Sequence, residues 1–121
     1  MTAPKRLREG LNEDLPFRII KAIQYIKRHY REEISLEKVA NRIGMSTKGF
    51  SRLFKQSMEI NFTQYINNFR LEKAEKLLTK STKSIKVISN KVGLNTDYFR
   101  KLFKGKYKIP PLQYRNKTLH L

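Results

Sequence analysis

Residues 35–55 read SLEKVANRIGMSTKGFSRLFK, and residues 84–104 read SIKVISNKVGLNTDYFRKLFK. The second stretch repeats the first at a fixed offset of 49. The identical pairs are Ser35/Ser84, Asn41/Asn90, Gly44/Gly93, Thr47/Thr96, Phe50/Phe99 and Leu53-Phe54-Lys55/Leu102-Phe103-Lys104. Ile60/Ile109 and Gln64-Tyr65/Gln113-Tyr114 extend the match. Most other apolar positions stay apolar. Such self-similarity marks one supersecondary unit used twice.

Each copy reads as helix, glycine turn, helix. Ser35 is an N-cap residue, and Glu37 favours the positive end of the helix that follows. Leu36, Val39, Ala40 and Ile43 form its apolar stripe. Gly44 ends it, where a left-handed backbone is cheapest for glycine. Ser46 caps the next helix, whose stripe is Phe50, Leu53 and Phe54. In the second copy Ser84 starts the unit and Ile85, Ile88 and Val92 are the stripe. Gly93 is the turn, and Asn95 caps the helix that carries Phe99, Leu102 and Phe103.

Outside the repeat, Asp14 caps a first helix with Pro16 in its opening turn. Ile19, Ile20, Ile23, Ile26 and Tyr30 follow with helical spacing. A longer helix over about 62–79 turns Phe62, Tyr65, Ile66, Phe69, Ala74, Leu77 and Leu78 inward. At ~1.5 Å per residue it spans roughly 27 Å. Pro110-Pro111 opens a short last helix through Tyr114 and Arg115. The expected fold is all-α and homeodomain-like, with about seven helices in two helix-turn-helix subdomains joined by a long linker helix. The expected divisions are a tail or linker over 1–13, a first subdomain over 14–61, a connecting helix over 62–80 and a second subdomain over 81–117.

Twenty-seven Lys and Arg face ten Asp and Glu, a formal charge of +17 in 121 residues. That imbalance implies a polyanionic partner. Cysteine is absent, which removes disulfides, thiol nucleophiles and thiolate metal sites together. His29 and His120 stand alone, without partner ligands at metal spacing, so neither metal nor cofactor is expected. Glu32-Glu33 is a solvated helix-end pair, since neighbouring residues diverge on a helix. No phosphate-cradling glycine loop or nucleophile motif occurs, and no enzyme activity is expected. No apolar run or leader-like stretch is present, and a soluble, cytoplasmic chain is expected.

In each copy the second helix has two unlike sides. Opposite the phenylalanines lie Lys48, Ser51, Arg52 and Lys55, and in copy two Asp97, Arg100, Lys101 and Lys104. A major groove admits one helix, read near its N-terminal half. Arg52 can fork onto guanine O6 and N7, and Lys101 can meet the same acceptors as a point charge. Lys55 and Lys104 are a turn later, placed for phosphate. Asp97 has three readings: it accepts from cytosine N4, pairs with Arg100 or Lys101, or stabilises its own helix N-terminus. Gly49 costs about 1 kcal/mol inside a helix relative to alanine. Close approach of DNA or a neutral surface substitution each account for it.

The pattern Ser35-Leu-Glu-Lys-Val-Ala, Gly44-Met-Ser, Phe50-Ser-Arg-Leu-Phe-Lys, Tyr65-Ile and Arg70-Leu resembles the DNA-binding domain of AraC/XylS-type transcription regulators. So does Val92-Gly-Leu, Tyr98-Phe, Leu102-Phe-Lys, Pro110-Pro and Tyr114-Arg. The resemblance covers residues 17–116. It implies promoter DNA as partner, with RNA polymerase as a further one and a separate sensing or dimerisation domain often attached. Carried onto matching positions, the base-reading residues are Lys48, Ser51 and Arg52, then Thr96, Asp97, Arg100 and Lys101. Ser46 joins Lys55 and Lys104 as a phosphate contact, and Arg115 looks like a phosphate anchor. Three departures stand out: Met58-Glu59 replaces the usual Thr-Gly after the first recognition helix, Ser89 replaces the usual alanine, and the stretch between Gly93 and Tyr98, which holds Thr96 and Asp97, is one residue shorter than the common pattern. The rival readings are a non-specific architectural or RNA-binding protein, a DNA-repair enzyme and a membrane-active helix protein.

Overall fold

The computed structural model describes residues 15–119 and holds seven helices and no strand among them. They are α1 (Phe17–His29), α2 (Leu36–Arg42), α3 (Thr47–Met58), α4 (Phe62–Lys80), α5 (Ile85–Lys91), α6 (Thr96–Tyr107) and α7 (Pro111–Leu119). The Asp14 cap and the 1–13 segment lie outside the described residues. The last helix runs on past Arg115 to Leu119.

The repeat is realised residue by residue. α2 and α5 begin and end 49 positions apart, and so do α3 and α6. Ser35 Oγ accepts from the Lys38 amide and Ser84 Oγ from the Val87 amide. Ser46 Oγ accepts from the Gly49 amide, and Asn95 Oδ1 accepts from the amides of Asp97 and Tyr98. Gly44 and Gly93 have φ of +76° and +82°, so each turn uses the left-handed backbone that glycine tolerates best. Both turns close alike, Met45 N–H on Ala40 O and Leu94 N–H on Ser89 O.

The helices after the two recognition helices start by different means. Asn61 Oδ1 accepts from the Gln64 amide while Gln64 Oε1 accepts from the Asn61 amide, a reciprocal capping box. Its counterpart uses Pro111 at the first helical position, where a missing N–H is harmless. α3 and α6 both end on a left-handed residue that is not glycine: Glu59 at φ +67° and Lys108 at φ +75°. The Met58-Glu59 departure therefore keeps the turn, at a cost of about 1–2 kcal/mol for the side chain in that region.

Two compact units divide the chain: residues 15–29 with 33–66, and residues 30–32 with 67–119. α4 contributes its first five residues to the first unit and the rest to the second. In the first, Ile19, Ala22 and Ile26 of α1, Val39 and Ala40 of α2, and Phe50 and Phe54 of α3 are fully buried. Phe50, Phe54, Phe62 and Tyr65 meet edge to face at centroid distances of 5.4–5.8 Å, a geometry aromatic quadrupoles favour. The phenylalanine pairs are thus core, as their spacing predicts.

The second unit buries Leu71, Ala74, Leu78, Ile88, Val92, Leu94, Phe99 and Phe103. Tyr30, which the sequence places on the stripe of α1, instead lies beyond that helix and packs against this second core. Its ring meets Phe69 edge-on at 5.1 Å. Arg70 holds the same segment: Nε donates to Tyr30 O and Nη2 to Glu32 O, each at 2.8 Å.

Tyr107 and Tyr114 close this core at one end, against Phe103. Tyr114 Oη donates to Glu75 Oε2 at 2.7 Å, and that bond, with burial, raises its pKa. Burial, then the charges of Glu75 and Glu72 and the Tyr114 phenol, push Tyr107 up to about 12. An unfolded tyrosine titrates near 10. Above pH ~10 the unfolded chain sheds protons that the folded chain keeps, so stability present at neutral pH is lost as pH rises toward 12. The urea midpoint of the native chain is expected to fall more steeply over pH 9.5–11.5 than that of Tyr107→Phe. Parallel curves for the two proteins would remove Tyr107 as the cause.

Candidate nucleic-acid interface

The stripes opposite the phenylalanines reach solvent in both copies. Lys48, Arg52 and Lys55 are exposed on α3, with Ser51 half-buried between them. On α6, Asp97, Arg100, Lys101 and Lys104 are exposed. The caps explain why these helices can present their N-terminal ends. Ser46 and Asn95 satisfy amides that would otherwise lack a partner, leaving the first turn ordered.

Asp97 Oδ1 lies 3.4 Å from Arg100 Nη1, with both side chains largely exposed. Of the three readings of Asp97, the geometry shows pairing with Arg100, and its place in the first turn of α6 also suits the helix dipole. An exposed pair one turn apart is weak and is readily exchanged for a phosphate. It restrains Arg100 without removing it from the surface.

Three residues have partners that the sequence did not reveal. Gly49 sits where a Cβ would lie 2.9 Å from Ser46 Oγ, the atom that caps α3. A side chain there would shift that hydroxyl, although Lys38, Val87 and Tyr98 hold the equivalent position under the other three caps.

Thr96, expected to read bases, is half-buried, and its Oγ1 lies 2.8 Å from Ser89 Oγ. Arg115, expected to anchor phosphate, donates from Nε to Leu78 O at 2.9 Å. Its Nη2 is buried without a hydrogen-bond partner among the described residues. Leu78 lies in the last turn of α4, where carbonyls lack helical partners. Arg115 is thus held to that helix end through Nε.

One basic surface escaped the sequence reading because its members come from two helices. Lys21, Gln24, Tyr25, Arg28 and His29 of α1 and Arg42 of α2 line an open hollow. The Arg42 guanidinium lies over the Tyr25 ring, 5.2 Å from its centroid. Tyr98 is a second omission. It is exposed beside the α6 stripe, and its Oη accepts from Asn67 Nδ2 at 3.3 Å.

Two helix-turn-helix units, each with a capped second helix whose solvent face carries cations, define a double helix-turn-helix domain of the DNA-binding kind. Residues 39–117 match the helix-turn-helix domain family. The chain belongs to that family, in its AraC-type branch. It is 38% identical over 65 residues to the regulatory protein PocR of Salmonella typhimurium, covering 54% of this chain and 22% of PocR. The chain thus spans about a fifth of that relative's length.

The fold superposes on the C-terminal domain of AraT, a response regulator from Geobacillus stearothermophilus. The TM-score is 0.84 and the identity 33%, covering 87% of this chain and 88% of that one. The DNA-binding domain of AdpA, solved in complex with a target DNA, shares the fold at TM-score 0.79 and 23% identity. There the coverage is 82% of this chain and 90% of that one. Among the described residues no helix is long and apolar enough to cross a membrane.

Proposed function

We propose that the chain reads duplex DNA in a sequence-specific manner as the DNA-binding part of a transcription regulator. α3 and α6 enter successive major grooves. Lys48, Ser51 and Arg52 of α3 and Arg100 and Lys101 of α6 face base edges, while Ser46, Lys55 and Lys104 meet phosphates. Asp97 holds Arg100 until a base or phosphate replaces it. RNA polymerase is the further partner through which promoter binding acts. The observation that carries the reading is the duplicated, capped helix-turn-helix whose exposed faces are cationic in both copies. The stripes differ between copies, Lys48-Ser51-Arg52 against Asp97-Arg100-Lys101. The site is therefore asymmetric: two short unlike elements about 10 base pairs apart, one for each helix.

Selection of bound fragments from a random duplex pool, with competitor DNA at near-physiological salt, tests this. Recovery of two such elements supports it. Tight binding that vanishes with salt and enriches no sequence refutes base reading. On the recovered site, Arg52→Ala is expected to weaken binding by ~1–3 kcal/mol and relax one base position. Lys104→Ala is expected to weaken all duplexes alike and lower the salt slope by about one unit. Equal loss on every sequence for Arg52→Ala, or an unchanged slope for Lys104→Ala, would remove that residue from its role.

A further inference from the structure

Ser89 is fully buried, on the face of α5 opposite the first residue of α6. Its hydroxyl has one proton. Its oxygen lies 2.9 Å from Lys86 O in the preceding turn. At 2.8 Å Thr96 Oγ1 is hydrogen-bonded to the same Ser89 hydroxyl, and either oxygen can donate. Either way the Thr96 hydroxyl oxygen is held against Ser89 inside the protein. A threonine at a helix start has two accessible χ1 wells, unlike valine or isoleucine, because its hydroxyl competes for partners. The buried serine selects between them.

We propose that Ser89 is a specificity-determining positioning residue. It withdraws the Thr96 hydroxyl from the groove, so that Thr96 meets DNA with its methyl group and favours a thymine at the base it faces. The proposal rests on the reading that α6 enters a major groove. There the thymine 5-methyl group is the apolar feature that a threonine methyl can contact. Thr96 thus keeps its place among the base-reading residues, with its role changed from hydrogen bonding to apolar contact. In the first copy Ala40 stands where the serine is, while the threonine is kept as Thr47. The device therefore belongs to the second copy, and the two elements of the site should differ in it.

The test uses the full chain and the duplex recovered by selection. Each thymine of the α6 element is replaced in turn by deoxyuridine, which lacks only the 5-methyl group. The native chain is expected to bind thymine over deoxyuridine by roughly fourfold at one position, the worth of about one buried methyl group. Thr96→Val, which keeps a methyl in either well, should retain that ratio. Thr96→Ser, which keeps the hydroxyl bond and loses the methyl, should bring it near one. Ser89→Ala releases the Thr96 hydroxyl toward solvent and should also bring the ratio near one, with a gain for purines that offer an acceptor in the groove.

The ratio compares two DNAs on one protein sample, so partial unfolding of a variant cancels. A selected site with no deoxyuridine effect under α6, or an unchanged ratio in Ser89→Ala, overturns the proposal while leaving sequence-specific binding intact. Absence of any selected site overturns that wider reading as well.

Discussion

Gly93→Ala is expected to destabilise the chain by about 3–4 kcal/mol, and Gly44→Ala by only about 1 kcal/mol. The two glycines are equivalent in the repeat and almost equal in φ. Both substitutions therefore pay the left-handed penalty of an L residue. The difference lies in what surrounds them. A Cβ on Gly44 meets nothing within 4 Å. A Cβ on Gly93 would lie 2.8 Å from Tyr30 O and 3.0 Å from Arg31 O. These are backbone atoms, and Tyr30 O is already held by Arg70.

The segment 30–32 is fixed on one side by a guanidinium and on the other by the glycine turn, so it yields poorly to a methyl group. Urea denaturation of the two variants against the native chain measures the contrast. Equal losses would mean that the close approach at Gly93 is not a tight contact. The same substitution should weaken binding through α6 more than through α3, because Gly93 opens the turn that places Asn95 and Thr96. Scrambling each half of the selected site in turn separates the two contributions.

The two helix-turn-helix copies were legible to the residue because their signals are local. A capping serine or asparagine acts on amides two or three residues away, and a glycine with positive φ acts at its own position. Ser35, Ser46, Ser84, Asn95, Gly44 and Gly93 all serve as their types suggest. What stayed hidden depends on distant partners. Tyr30 continues the spacing of α1, yet its core partners lie on later helices, with Phe69 39 residues further on.

Arg115 reads in sequence as a phosphate anchor and Arg70 only as part of a family pattern, yet both donate to backbone carbonyls 37–40 residues away. Nothing in a side-chain pattern announces a carbonyl acceptor. Thr96 is the instructive case for the site. Its position in the repeat is correct, but the direction of its hydroxyl is decided by Ser89, a small polar residue at a place where the sequence suggests only a small apolar one.

Arg70→Met is expected to cost about 3 kcal/mol, and Arg70→Lys roughly half of that, from one or both hydrogen bonds of a charged donor. Arg70 is 9% exposed, and burial lowers its pKa, although a guanidinium stays charged throughout the accessible range. Replacing a whole buried ion pair by apolar residues is often harmless, because both charges leave together. Here the acceptors are the carbonyls of Tyr30 and Glu32, which no substitution at position 70 removes. Methionine keeps the length of the stem and supplies neither bond. Lysine has one nitrogen and reaches one of two carbonyls that lie two residues apart, whereas the planar fork reaches both.

Urea midpoints should therefore rank native, Lys, Met. A Met variant as stable as the native chain would show that the two bonds only offset the burial of the charge. A double substitution makes the sharper measurement. If Arg70 is what prevents the 30–32 segment from yielding at the glycine turn, Gly93→Ala should cost about 1 kcal/mol less in the Arg70→Met background than in the native one. Strict additivity would uncouple the two contacts. The segment would then be rigid for some other reason than the arginine that grips it.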